Sequence, residues 1–357
     1  MTTFTTEDRI IAEKDGSLTV NLSNNTSTIT VINAHSLYSA SSLDRLALCP
    51  PSARMSKDIP DNQSKDAERG TRIHSLGEIL LAGEDINIVG VDPEEVNLAK
   101  SYAEYVWDVA GEDGTVYIEE SFRDSLSIYH PDLGGTADAV IVNGRDIHII
   151  DLKSGRTPVQ AKENKQMLTY ALGALTKHGF DFDNVSLHIY QPGNVSKQVY
   201  TPYDINIWSS ELIAIAKRAD DPFEKPNPTA KGCFYCKAKT ICPAIREKAL
   251  EAAKQDFSAN NLEQLLDDAK LVSTWAEAIQ EQAKQSILDG ADAGHWDLKG
   301  GRKMISYKDK VGVEAFFAGN PQAFEIKSPS ALKKIGIEVP QQYLEEKTSS
   351  PSLVRKD

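Results

Sequence analysis

Cysteine is scarce in this chain, with four residues in 357, and aromatic residues make up only 7%. Four thiols in a chain of this length do not make a cysteine-dense disulfide scaffold. No apolar run approaches the roughly 20 residues that span a bilayer, so no membrane partner is expected. The segment Met1 to Arg9 is polar and threonine-rich and lacks the apolar centre of a secretory signal. The expected location is therefore the cytoplasm, of a bacterium or of a phage-infected host, where thiols serve as ligands rather than disulfides. The phosphate-cradling pattern Gly-x-x-x-x-Gly-Lys-[Ser/Thr] is missing, which excludes a built-in P-loop motor. Internal repeats and low-complexity tracts are also missing, which excludes a solenoid.

An excess of positive charge is lacking too. Lys and Arg number 39 against 52 Asp and Glu, a net charge of −13. The acids are concentrated, however. Residues 84–124 hold twelve acids against Lys100 and Arg123. The stretches 152–178 and 224–248 each carry a local charge of +4. An acidic face with separate basic patches is compatible with nucleic-acid contact, because such contact depends on local potential.

At this length the chain exceeds one typical domain. Residues 1–34 read as a hairpin extension, with Leu18–Leu22 and Thr28–Ile32 flanking an Asn-Asn turn. A short helix follows from Ser39 and ends at Cys49-Pro50-Pro51. Helical patterns cover 66–81 and about 93–109. Three strand-like runs come next: Val116–Phe122, Gly134–Val142 with an Asn143-Gly144 turn, and Asp146–Lys153. A helix over about 160–178, a strand from Val185 and a helix over about 205–219 complete an α/β pattern. Beyond about residue 255 the composition shifts. That region reads as a long helix over 261–288, a Trp296–Tyr307 hairpin and a loose polar tail from Lys347.

Two constellations carry chemistry. The first is Asp138 in one strand and Asp151-Leu152-Lys153 at the end of the next. Pairing across the Asn-Gly turn brings both carboxylates towards one hard cation, and Mg²⁺ and Mn²⁺ favour carboxylate oxygens. Lys153, two residues past Asp151, shares its strand face, where an ammonium stabilises charge developing on a phosphate. His74 and Glu78 are four apart on a helix and share a face, offering a further metal ligand and a ligand or anchor behind it. Gln166 and Tyr170 stand in the same relation on the helix after Lys153 and are placed to brace it or hold a phosphate. The second constellation is Cys233-x-x-Cys236-x₅-Cys242-Pro243, with Cys49-Pro50 far upstream. Together these make a Cys₄ set, suited to zinc or an iron–sulfur cluster. The one-plus-three split fits zinc less well.

Gly70-x-x-x-His74, Gly135-x-x-Asp138, Asp151-Leu152-Lys153-Ser154-Gly155 and Gln166-x-x-x-Tyr170 occur in the order of the RecB-like branch of the PD-(D/E)XK nucleases, which residues 35–250 resemble. The resemblance implies His74, Asp138, Asp151 and the Leu152 carbonyl as metal ligands, Lys153 as the catalytic lysine, and Gln166 and Tyr170 as the motif after it. Asp151 stands where many relatives have Glu, a change this branch accepts. The cysteine spacing is similar to the [4Fe–4S] clasp of AddB-type helicase–nucleases and of CRISPR-adaptation nucleases.

The expected architecture is thus an α/β restriction-endonuclease-like core, a mixed sheet flanked by helices, with an iron–sulfur clasp. Residues 255–357 form a helical or α+β accessory domain. The expected function is Mg²⁺- or Mn²⁺-dependent hydrolysis of DNA, as an exonuclease in recombination, repair or phage DNA processing. A single-strand-binding or recombinase protein is an expected partner. The alternatives are a non-catalytic DNA-binding or scaffold module of the same fold, holding iron–sulfur or zinc, and a zinc-clasped interaction protein docking through its acidic 84–124 face.

Overall fold

The computed structural model describes residues 9–12, 18–22, 25–29, 36–60, 65–85, 91–155, 157–256, 261–301, 303–307, 310–320, 329, 332, 339–348 and 352–355. By internal contacts the chain divides into two compact units, Met1–Leu271 and Val272–Asp357. Among the described residues, no helix is long and apolar enough to cross a membrane.

The first unit begins with β1 (Arg9–Ala12), β2 (Leu18–Leu22) and β3 (Asn25–Ile29), an antiparallel sheet in that order. The expected hairpin is present, but its second strand starts at Asn25 rather than Thr28; residues 30–34 lie outside the described set. Next come β4 (Tyr38–Ser39), α1 (Leu43–Leu48), α2 (Ser52–Ser56), α3 (Lys65–Leu81) and α4 (Pro93–Ala110). Pro93 at the first turn and the Asp92 side chain, which accepts from the Glu94 amide, set where α4 starts. Arg72 donates two hydrogen bonds to the buried Glu95, at 2.9 and 2.7 Å, and ties α3 to α4.

The central sheet uses β5 (Thr115–Ser121), β7 (Thr136–Asn143), β8 (Asp146–Leu152), β9 (Asn184–Gln191) and β10 (Asn194–Tyr200) in the order β10-β9-β8-β7-β5. Only β8 and β9 run parallel. Between β5 and β7 lie α5 (Arg123–Ser127) and β6 (Leu133–Gly134), which pairs with β4. The β7–β8 turn is the one expected: Asn143 faces Asp146, and Gly144 takes a positive φ of 57° that suits glycine. The β8–β9 crossover is α6 (Lys165–His178), which starts later than 160 because the Asn164 side chain caps it. After β10 comes α7 (Pro202–Asp220), opened by a Thr201–Asp204 capping box. α8 (Ala230–Phe234) and α9 (Pro243–Ala252) carry the cysteine segment.

Alternation along the strands feeds a core on each face of the sheet. Ile147, Ile149, Val185, Leu187 and Ile189 pack with Leu43, Leu46, Met167, Leu172 and Leu212 of α1, α6 and α7. Ile141, Ile150 and Leu152 pack with Ile73, Leu98, Tyr102 and Val106 of α3 and α4. This is the expected α/β architecture, a mixed five-stranded sheet between helices. β10 has no counterpart among the runs read from the sequence, because its residues are largely exposed and polar.

α10 (Leu262–Leu288) crosses the boundary between the units. The second unit holds β11 (Trp296–Lys299), β12 (Lys303–Tyr307), α11 (Lys310–Phe316), β13 (Leu344–Thr348) and β14 (Ser352–Arg355). The expected Trp296–Tyr307 hairpin does not form. β11 pairs with β14 and β12 with β13, both antiparallel. The stretch from Lys347, expected to be loose, supplies the end of one strand and the whole of another. Val313, Phe317 and Leu332 form this unit's own small core.

Candidate functional site

The two carboxylates of the β7–β8 hairpin face different ways. On β7, Ala137 packs towards α6 while Ala139 packs towards α3 and α4. Residues two apart normally share a face, so the alternation breaks at Asp138. Across the sheet, Ile118 pairs with Ala139 and Glu120 with Ala137, which sets Glu119 against Asp138. Glu119 has a positive φ of 47°, rare for a non-glycine residue. The two irregularities bring the side chains of neighbouring strands together. His74 of α3 completes the group: single ligating atoms of His74, Glu119 and Asp138 lie within 4.8 Å of one another.

Asp138 is held from two directions. The Leu152 amide donates to its Oδ2 at 2.6 Å, and His74 Nδ1 lies 3.1 Å from its Oδ1. Burial works against the His74 imidazolium, but the hydrogen bond and charge of Asp138, with Asp151 behind it, hold its pKa above the ordinary value. Glu119 is exposed at its rim, yet surrounding protein, and then the charges of Asp138 and Glu78, push its carboxyl up to about 7. A crowd of carboxylates beside an imidazole is what a divalent cation relieves, and oxygen with imidazole suits Mn²⁺ and Mg²⁺-type sites. The residues present therefore fit such an ion.

Asp151 belongs to a second arrangement, facing α6. It is 3% exposed. Gln166 Nε2 donates to its Oδ1 at 2.8 Å. Its buried Oδ2 lies 2.9 Å from Lys153 Nζ, whose charge compensates it. Lys153 Nζ donates to Gln166 Oε1 at 3.0 Å, and Gln166 Nε2 also reaches Tyr170 Oη at 3.1 Å. Burial raises the Asp151 carboxyl against the pull of Lys153. For Lys153 burial acts downward, and Asp151 outweighs it. Burial keeps the Tyr170 phenol protonated. Tyr170 lies against Gly135, where an added Cβ would come 2.7 Å from its Cε1, so Gly135 permits the close approach.

Of the residues singled out from the sequence, His74 and Asp138 thus sit in the three-residue group, and Asp151, Lys153, Gln166 and Tyr170 form one network beside it. Leu152 enters through its amide. Glu78 is exposed, lies outside the group and adds its charge to the surroundings of Glu119. Glu119 was not singled out: within Val116–Phe122 it reads as an ordinary strand glutamate. The remaining signal is that an acid follows Ile118 and precedes Glu120, which is buried against His178 and Lys177.

Cys49, Cys233, Cys236 and Cys242 are buried and free, and all four line one small cavity. Burial raises the Cys49 thiol, and pushes Cys233 up to about 11. The Asn227 amide donates to Cys49 Sγ at 3.4 Å. Four sulfurs converging on a cavity are the donor set of a zinc ion or an iron–sulfur cluster.

A solved structure described as "Crystal structure of SSO0001" is 18% identical, with 57% of this chain and 84% of that chain covered and a TM-score of 0.32. The model of the family described as "Protein of unknown function (DUF2800)" matches residues 35–335, a span that takes in the His74/Glu119/Asp138 group and all four cysteines, and the chain belongs to that family.

Proposed function

We propose that this protein is a metal-dependent nuclease of the PD-(D/E)XK type that hydrolyses phosphodiester bonds in DNA, acting on ends as an exonuclease. The observation that carries this is the double clamp on Asp138. The Leu152 amide and His74 aim its carboxylate at Glu119, and the same hairpin end delivers Asp151 and Lys153 beside it. His74, Glu119 and Asp138 would hold Mg²⁺ or Mn²⁺, with Asp151 adjoining. Such an ion supplies a Lewis acid for the phosphate and lowers the pKa of bound water. Lys153, oriented by Asp151 and Gln166, would offer a protonated amine to the negative charge that develops on the phosphate. Tyr170 keeps Gln166 in position and so fixes the lysine's direction.

The same reading gives the four cysteines a structural [4Fe–4S] cluster, with zinc as the alternative. The direct test is digestion of end-labelled linear and circular DNA, single- and double-stranded, with Mn²⁺. Wild type should cut, and circles should be spared. Lys153→Ala should lower the rate about 10²–10³-fold, the usual loss when one charge-stabilising donor is removed, with its circular dichroism unchanged. A Lys153→Ala protein as active as wild type would defeat the assignment. Absence of cutting by folded, metal-loaded wild type would leave a binding role.

A further inference from the structure

Phe234 and Tyr235 lie between two of the cysteines. Cys233 and Cys236 turn inward and are buried, so the residues between them turn outward: Phe234 is 46% exposed and Tyr235 79%. Large exposed aromatics are common singly. Here two are adjacent, edge to face with ring centroids 4.6 Å apart. Their backbone is fixed from three sides. Arg45 Nη1 donates to the Tyr235 carbonyl at 3.1 Å, Lys239 Nζ to the Phe234 carbonyl at 2.7 Å, and the Cys236 amide to the Cys233 carbonyl at 3.1 Å.

Both rings line the groove that is also lined by His74 and Lys153. The groove wall carries Lys153, Lys162, Lys231 and Lys270 against Asp44 and Glu163, two more cations than anions, in a chain whose net charge is −13. A positively lined track beside exposed aromatic faces on an anchored backbone is how proteins bind single strands: lysines follow the phosphates and bases stack on the rings. A duplex keeps its base faces stacked internally and has none to offer.

We propose that Phe234 and Tyr235 form a stacking platform for unpaired bases, which makes single-stranded DNA the strand this groove selects. The inference rests on the nuclease reading for its choice of DNA. It adds the substrate class and two specificity residues, and it gives the cysteine clasp a task at the groove: Cys233 and Cys236 hold the platform's two ends.

The test uses full-length protein as purified, without added divalent cation so that nothing is cut. Its probe is an oligodeoxynucleotide bearing 2-aminopurine, single-stranded or paired to its complement. Wild type should bind the single strand more tightly and change its 2-aminopurine emission. Phe234→Leu and Tyr235→Leu keep apolar volume but lose the π-face. Each should weaken single-strand binding between about 5- and 150-fold, the range expected when one base loses its stacking partner, and reduce the emission change. Duplex affinity should move less than twofold, and Tyr235→Trp should restore single-strand binding. Metal content of each variant is measured alongside to show that the clasp is intact. Equal single-strand binding by wild type and a metal-loaded Leu double variant overturns the platform, as does equal loss of duplex binding. Cleavage is scored separately with Mn²⁺. Aromatic-dependent binding without cleavage would sustain the platform and defeat the nuclease reading; cleavage with aromatic-independent binding would do the reverse.

Discussion

His148 on β8 and His188 on β9 illustrate how one buried residue sets a condition on the whole fold. Tyr105 Oη lies 2.7 Å from His188 Nδ1, and His148 Nδ1 lies 3.1 Å from His188 Nε2. With the phenol donating, Nδ1 of His188 accepts and Nε2 carries the proton that reaches His148, an arrangement open to the neutral ring. Burial favours the neutral form of His188. Burial, then His148 and Lys197, lower its pKa from 6.5 to about 3. Asp146 acts in the opposite direction on His148, which burial and Lys197 nevertheless also lower. Between the two His188 values the unfolded chain takes up a proton that the folded chain refuses. Stability is therefore full above about pH 6.5 and falls as the pH drops towards 3. From pH 7 to pH 5 this one residue should cost about 2 kcal/mol. Urea unfolding at the two pH values, for wild type and His188→Gln, checks it. The variant should lose about that much of the pH response, and an unaltered response would remove His188 from the account.

Elements differ in how far the sequence announced them. The β7–β8 hairpin was legible because Asn143-Gly144 matches a turn that needs positive φ and both flanks are apolar. α3, α4, α6 and α7 were legible as helices, while their caps, such as Asn164 of α6, set starts that the pattern did not give. β10 was not, since an exposed edge strand has little apolar alternation to read. β11–β14 and β12–β13 were not, because pairing between segments roughly forty to sixty residues apart leaves no local trace. At the site, His74, Asp138, Asp151 and Lys153 stood out by spacing, whereas Glu119 depends on a paired break in alternation on two strands that no single-strand pattern contains. The cysteine segment is the element-scale counterpart: Cys49 ends α1, and Cys233, Cys236 and Cys242 surround α8 and the start of α9. A bound metal would tie these chain-distant segments directly to one another. Cys236→Ser should lose iron, or zinc, together with several degrees of melting temperature. Elemental analysis with thermal unfolding distinguishes this from a packing role; wild type that is metal-free and equally stable would exclude the clasp.

At the scale of the molecule, two units have separate cores and the candidate site residues are concentrated in one. The sheet's two apolar faces, the His74/Glu119/Asp138 group and the cysteine cavity all fall within Met1–Leu271. The second unit has its own small cluster about Val313 and Phe317. The composition shift near residue 255 placed the division before α10, whereas contacts place it inside that helix, and the family match runs on to residue 335. A helix crossing a boundary explains the difference, because its amphipathic pattern does not change where its partners do. Cutting at residue 271 would sever α10, so the informative truncation ends after Leu288. If the first unit's cores suffice, residues 1–288 should unfold within about 3 °C of the full chain, the shift that roughly 1 kcal/mol produces in a domain of this size, and should keep the metal content of the cysteine site. Cleavage by that fragment would then assign the second unit to something other than the chemical step. A fragment that fails to fold would instead make residues beyond 288 part of the first unit's stability, and would account for a family boundary that lies so far beyond the catalytic candidates.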